Sequence, residues 1–153
     1  GRLCRVPDPQ VLMSPRVFFD TDVILDLLLR REPFFVAAAE LFLAVQDGKI
    51  EACVSPLIFS NLSYILGQQS AAPEVINTLR KLRLIVHVLP VDEGILDLAL
   101  ASTFKDFEDA IQYYTAFTND LAAVVTRNKR DYREAKLPIL NARECFELFG
   151  GSR

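Results

Sequence analysis

Two carboxylates stand where an apolar segment gives way to a helical pattern: Asp20 and Asp22, in Arg16-Val17-Phe18-Phe19-Asp20-Thr21-Asp22-Val23-Ile24-Leu25. In an open α/β sheet, ligands bind in the crevice beyond the carboxyl ends of the strands. A carboxylate buried there without a partner carries a large desolvation cost, so it calls for a metal, another cation or water. The competing reading is local. Asp is a preferred N-cap residue, and either carboxylate could simply start the following helix.

A second acidic group lies in Lys105-Asp106-Phe107-Glu108-Asp109-Ala110-Ile111-Gln112. On a helix, Asp106 and Asp109 are three apart and share a face, whereas Glu108 points elsewhere. Metal ligation by Asp109, with Asp106 nearby, is one reading, and an oxygen-rich site of this kind suits magnesium or manganese. The plain alternative is that acids in a first helical turn complement the helix dipole. A third group, Thr126-Arg127-Asn128-Lys129-Arg130-Asp131-Tyr132, follows the apolar run 121–125. Polar residues directly after a buried parallel strand fall at the crevice end of the sheet. Thr126, Asn128 and Asp131 can then reach the pocket of Asp20, and Arg127, Lys129 and Arg130 can face phosphates. The alternative is a surface loop with ordinary scattered charge.

The elements that must position these groups alternate along the chain. Strands are predicted at residues 17–19, 50–54, 84–89, 121–126 and 137–140. Helices are predicted at 21–30, from Pro33 to about Asp47, from Ser55-Pro56 through Leu66, at 73–83, from Val91-Asp92 to about Thr103, at 107–117 and at 142–149. Asp47-Gly48 is a stop and turn signal, and Ser55-Pro56 reads as an N-cap followed by Pro at the first helical position. Strands alternating with helices imply a mainly parallel sheet covered on both faces, in one domain over residues 14–153. Residues 1–13 are read as an extension, native or added, because Met13 is the sole Met and a native chain could start there.

Composition excludes several classes. The chain has 153 residues, 51% hydrophobic and 24% charged, which fits a globular domain with a real core. The net charge of -3 argues against a strongly basic nucleic-acid binder. It leaves room for a nucleic-acid enzyme whose acidic centre is balanced by metal. Cys4, Cys53 and Cys145 form no disulfide framework and no zinc spacing. A reducing cytoplasm is expected, and no apolar run is long enough to span a membrane. His87, the only His, sits in a strand pattern and gives poor support to a Ser-His-Asp triad. No glycine-rich phosphate loop is present. Tyr113, Tyr114 and the many Phe residues suit core packing, while an exposed Tyr132 could stack on a base.

Taken together, 18–26 (Phe-Phe-Asp-Thr-Asp-Val-Ile-Leu-Asp), 106–112 (Asp-Phe-Glu-Asp-Ala-Ile-Gln) and 126–132 (Thr-Arg-Asn-Lys-Arg-Asp-Tyr) resemble, in this order, the PIN domain family and its VapC-like toxins. Leu137-Pro138-Ile139-Leu140-Asn141 before a terminal helix is similar to the family's ending. The resemblance implies a three-layer α/β/α domain with a mainly parallel five-stranded sheet. It implies one or two divalent cations, magnesium or manganese, and hydrolysis of RNA phosphodiesters. Carried over by position, Asp20 and Asp109 are metal ligands, with Asp22 and Asp131 as further catalytic carboxylates. Asn61, Asp106, Thr126 and Asn128 stand around them, and Arg127, Lys129 and Arg130 are the phosphate contacts. The resemblance also implies a small antitoxin partner and a homodimer, and apolar residues Leu27, Leu28, Leu29, Phe34 and Phe35 are the expected docking surface.

Two departures bear on activity. Asn61 falls where the family usually carries Glu, and Asp22 falls where Asn is usual. The first motivates an alternative reading as a binding module with weakened catalysis. A further alternative is a phosphohydrolase of haloacid dehalogenase type, with Asp20 as nucleophile and Asp22 as acid/base. There Val23-Ile24 departs from the expected Gly-Thr.

Overall fold

Val17, Phe18 and Phe19 are completely buried, and the strand they form, β1 (Arg16–Phe19), is the centre of the sheet. A run that is apolar at consecutive positions has no solvent face to offer, and this is the signature of a strand covered on both sides. The computed structural model describes residues 14–151. The predicted extension at 1–13 lies outside them.

The remaining strands are β2 (Glu51–Val54), β3 (His87–Val88), β4 (Ala123–Val125) and β5 (Ile139–Leu140). Their order is β3-β2-β1-β4-β5, and every neighbouring pair is parallel. In register, Phe19 stands beside Val125, so β1 and β4 end together. Helices α1 (Thr21–Leu28) and α2 (Phe35–Gln46) connect β1 to β2. Helices α3 (Pro56–Leu66) and α4 (Ala72–Arg83) lead to β3. Helices α5 (Glu93–Ala101) and α6 (Phe107–Thr118) lead to β4. A 3₁₀ turn (Lys129–Tyr132) precedes β5, and α7 (Ala142–Cys145) runs on into a π-helical turn (Phe146–Gly150). This is the three-layer α/β/α arrangement expected from the alternation.

The chain leaves β1 towards β2 and later returns to place β4 on β1's other side. The strand order therefore reverses between β1 and β4, and a crevice opens at their carboxyl ends. Ile58 and Leu62, both fully buried on α3, fix that helix against the sheet. Burial of side chains of this size is worth about 1.5–3 kcal/mol each. Phe19 and Phe42 add an edge-to-face contact with centroids 5.2 Å apart.

Several predicted elements differ in extent, among them the strand expected at 121–126, which is Ala123–Val125. The strand expected at 84–89 is only His87–Val88, because the Leu84 and Ile85 amides bond back to Lys81 and Leu82 and finish α4. The strand expected at 137–140 begins only at Ile139. The closing helix changes to a wider turn at Phe146, where Gly150 lies so close to α2 that a Cβ would meet the Ala44 Cβ at 2.8 Å. The stop at Asp47-Gly48 is where it was expected, with Gly48 at φ +80, a conformation that favours glycine.

Candidate active site

The backbone fixes Asp20 first. Its amide donates to the Val125 carbonyl at 3.0 Å, which pins the residue to the end of β4 as β1 stops. Its side chain accepts from the Thr21 amide at 2.8 Å through Oδ1. Oδ2 accepts from the Thr126 hydroxyl at 2.9 Å and the Tyr132 hydroxyl at 3.2 Å. Both readings of Asp20 are thus realised: it caps α1, and it faces the crevice. Burial, and next the charge of Asp22, push the Asp20 carboxyl up to about 6.

Asp22 Oδ2 accepts from the Arg127 amide at 3.1 Å, the Thr126 hydroxyl at 3.3 Å and Asn128 Nδ2 at 3.3 Å. Its Oδ1 is buried and meets no protein donor among the described residues. Burial also raises this carboxyl above its ordinary value, opposed first by the Arg127 amide.

Asp109 arrives from the first turn of α6. Asp106 is the cap of that helix and accepts the Asp109 amide at 3.0 Å, so its local reading holds. The Asp109 carboxyl is pushed up to about 7, by burial first and then by Asp20, Asp106, Asp131 and Glu108. Four carboxylates on three segments therefore act on one.

The cavity at this crevice measures about 380 Å³ and is lined by Asp20, Asp22, Asn61, Glu108, Asp109 and Asn128, among others. Asp106 and Asp131 line an adjoining cavity of about 200 Å³ with Lys105, Arg130, Arg133 and Glu134. Thr126 is completely buried beneath Asp20 and Asp22 and also accepts the Asn128 amide at 3.1 Å.

Several side chains stand differently from expectation. Glu108 does not point elsewhere: its Oε2 accepts from Asn61 Nδ2 inside the same cavity. Helical spacing from Asp109 could not show this, because the partner comes from α3. Tyr132 is not exposed for base stacking. It is 2% accessible, packs edge-on to Phe104, and gives its hydroxyl to Asp20. Arg127 clasps Asp26 through Nε and a terminal nitrogen at 2.9 and 3.0 Å and lies 3.9 Å over the Phe34 ring. Lys129 Nζ pairs with Glu144 at 2.9 Å. Arg130 makes no ion pair among the described residues and faces the adjoining cavity. Leu27, Leu28 and Leu29 are drawn against the core, so the apolar surface left nearby is Phe34, Val36 and Leu43.

The donor set is made of carboxylate, amide and hydroxyl oxygens, which suits a hard divalent cation. The orphaned Asp22 Oδ1 and the crowding around Asp109 fit the same group. Among the described residues no three His, Cys, Asp or Glu side chains are grouped closely enough to hold an ion by themselves. A cation here would keep much of its water, as magnesium commonly does. Burial pushes the Cys53 and Cys145 thiols up to about 11 and about 12, so neither offers a ready thiolate.

A family model described as PIN domain matches residues 16–130. Among solved structures, VapBC-1 from nontypeable Haemophilus influenzae aligns with a TM-score of 0.65 at 18% identity, covering 83% of this chain and 98% of that one. A toxin-antitoxin complex from Klebsiella pneumoniae aligns at 0.64 and 20% identity, covering 84% and 98%. VapC20 from Mycobacterium tuberculosis, a sarcin-ricin loop cleaving toxin, aligns at 0.57 and 14% identity, covering 71% and 86%. Comparison with curated proteins gives no match.

Proposed function

The chain belongs to the PIN domain family, and from that premise and its acidic cavity we propose that it is a divalent-metal-dependent endoribonuclease, the toxin of a toxin-antitoxin pair. The observation that carries the proposal is the meeting of Asp20, Asp22 and Asp109 at the strand-order reversal, where neither Asp20 nor Asp109 has an ion-pair partner among the described residues. VapC20, which is similar in fold, is a toxin that cleaves the sarcin-ricin loop, and this supports RNA as the substrate.

Asp20 and Asp109 would hold magnesium or manganese, and Asp22 and Asp131 would add negative charge beside them. Such an ion supplies Lewis acidity at a phosphoryl oxygen and an acidified water. The chain's own part is to orient these carboxylates. Thr126 and Tyr132 hold Asp20 Oδ2 by two hydrogen bonds, which fixes the carboxylate towards the crevice. Asn128 and the Arg127 amide hold Asp22 in the same way. Burial and the neighbouring carboxylates raise the Asp109 carboxyl to about 7 in the metal-free chain, and a bound cation would hold it ionised as a ligand. Arg130, with Lys105 and Arg133 along the adjoining cavity, would meet flanking phosphates. Arg127 and Lys129, tied to Asp26 and Glu144, would serve mainly to shape the wall.

Toxin-antitoxin complexes among the similar folds support a small antitoxin as partner. The exposed Phe34, Val36 and Leu43 of α2 and its approach are the surface we assign to it or to a second copy in a homodimer. No helix of the described residues is long and apolar enough to cross a membrane.

Incubation of a mixed RNA pool with magnesium, manganese or chelator tests the activity. Cleavage should need the ion and fall at least about 100-fold in Asp20→Asn. Metal-independent cleavage, or an Asp20→Asn enzyme as active as wild type, contradicts it. Full RNA binding without any cleavage would favour the binding-module reading suggested by Asn61.

A further inference from the structure

The wall that α3 gives to the crevice cavity differs in chemistry from the acidic residues beside it. Asn61, Tyr64 and Ile65 are three and four positions apart, share one face of the helix, and all line the cavity. Ile58 and Leu62 are completely buried and fix that face in place. Asn61 is engaged with Glu108 and the Thr21 hydroxyl. Tyr64, one turn further on, is 72% exposed, more than any other aromatic side chain among the described residues. Its ring joins neither the core nor another ring among them. The fold gains little from an aromatic ring left in water. Arg31 lines the same cavity and is its one Lys or Arg among the described residues. Its amide donates to the Asp26 carbonyl at 3.1 Å, which sets it just beyond α1. Its guanidinium comes no nearer than 3.9 Å to the Asp26 carboxylate, whose two oxygens are already taken by Arg127. The donors of Arg31 are therefore open to another anion.

We propose that Tyr64 is a stacking platform for one base of the bound RNA and that Arg31 contacts an adjoining phosphate, so that the strand is held along α3 beside the acidic residues. The proposal rests on the ribonuclease reading above and adds to it the place where the substrate is gripped. Every base has a π-face, so a tyrosine ring can hold a nucleotide without reading its sequence. The nucleotide on Tyr64 must be unpaired and splayed from its neighbour, because only then is its face free. Leu25 and Ile65 give the same wall an apolar surface, and the cavity, about 380 Å³, lies in the range of small-ligand sites. Carboxylates repel a phosphodiester, and a cation on the cavity wall offsets part of that repulsion. The alternative role for Tyr64 is a contact to a protein partner, with no part in RNA binding.

Fluorescence anisotropy with a short labelled oligouridylate, and with the same strand made abasic, separates these roles. The parent is the full chain carrying Asp20→Asn, in which cleavage is blocked. Adding Tyr64→Ala should weaken oligouridylate binding by about 5–100-fold and leave binding of the abasic strand unchanged. Tyr64→Phe keeps the ring and should bind as the parent does, whereas Tyr64→Leu keeps apolar bulk without a π-face and should fall as far as Tyr64→Ala. Arg31→Met should weaken both strands alike and lower the salt dependence of binding by about one unit of slope. Circular dichroism confirms folding of each variant. Oligouridylate affinity unchanged in Tyr64→Ala, retained in Tyr64→Leu, or lost equally on both strands overturns the stacking assignment, and cleavage of RNA by the wild type with Mn²⁺ then leaves the ribonuclease reading intact. An unchanged salt slope in Arg31→Met removes Arg31 from the contact. A chain that binds neither strand and cleaves no RNA overturns both the inference and the reading it rests on.

Discussion

Asp22 and Asp26 stand one helical turn apart on α1, and the protein treats them in opposite ways. Asp26 is 2% accessible and takes a two-point clasp from Arg127, with Arg31 3.9 Å away on its other side. Arg127 is itself held under Phe34. Asp22 receives hydrogen bonds from Thr126, Asn128 and a backbone amide but forms no ion pair, Arg127's charge reaching it only from beyond contact, and one of its oxygens is buried without a protein donor. The cation that could have neutralised either carboxylate is directed to the one farther from the crevice. A buried carboxylate that is paired holds structure together, and one left without a cation keeps the crevice acidic for a ligand.

Arg127 is the residue on which the difference between the two carboxylates depends most. Arg127→Ala should cost about 3 kcal/mol, because it leaves the buried Asp26 charge with only Arg31, 3.9 Å away. Urea unfolding measures this, and a loss of less than 1 kcal/mol would place Asp26 outside the paired class. Asp22→Asn should act with the opposite sign and raise the melting temperature of the metal-free chain, since it removes a partly buried charge that has no ion-pair partner and that its neighbouring carboxylates oppose. A fall in melting temperature there would mean that Asp22 is compensated after all.

The pH dependence sharpens the same contrast. Asp20 and Asp109 have folded values of about 6 and about 7 against an ordinary 3.8. Between those limits the folded chain binds more protons than the unfolded one, so stability falls as pH rises. Melting of the chelator-treated protein should therefore move upward as pH is lowered from 7.5 towards 5. The carboxylates share one cavity, so their titration should appear as coupled steps. A flat profile over this range would remove the crowding argument. The smallest effect belongs to Tyr132→Phe, about 1 kcal/mol or less in stability. Because the lost hydroxyl favours the ionised Asp20, its activity profile should move to higher pH.

The fold was readable because its strands are short apolar blocks between helices, several of which begin at a capping carboxylate. Phe18-Phe19-Asp20 marks the end of β1, and Asp92 and Asp106 cap the helices predicted after them. The acidic residues were readable for a related reason: each sits at a strand end or in a first helical turn, where local pattern places it. What lay beyond the sequence was any choice made by a distant partner. Glu108 is turned into the cavity by Asn61, 47 positions away. Arg127 is taken from solvent by Asp26, and Tyr132 is folded inward to Asp20 across 112 positions. Leu84 and Ile85 have strand character, yet the hydrogen bonds of the preceding turn hold them in α4's ending.

Asp20 and Asp109 are proposed to make the crevice a divalent-cation site. Thermal melting with and without millimolar Mn²⁺ tests it most directly, because an ion that binds only the folded chain must raise the melting temperature. The wild-type chain should gain several degrees, and the Asp20→Asn/Asp109→Asn double variant should gain none. An equal gain in both proteins, or no gain in the wild type, would contradict the account.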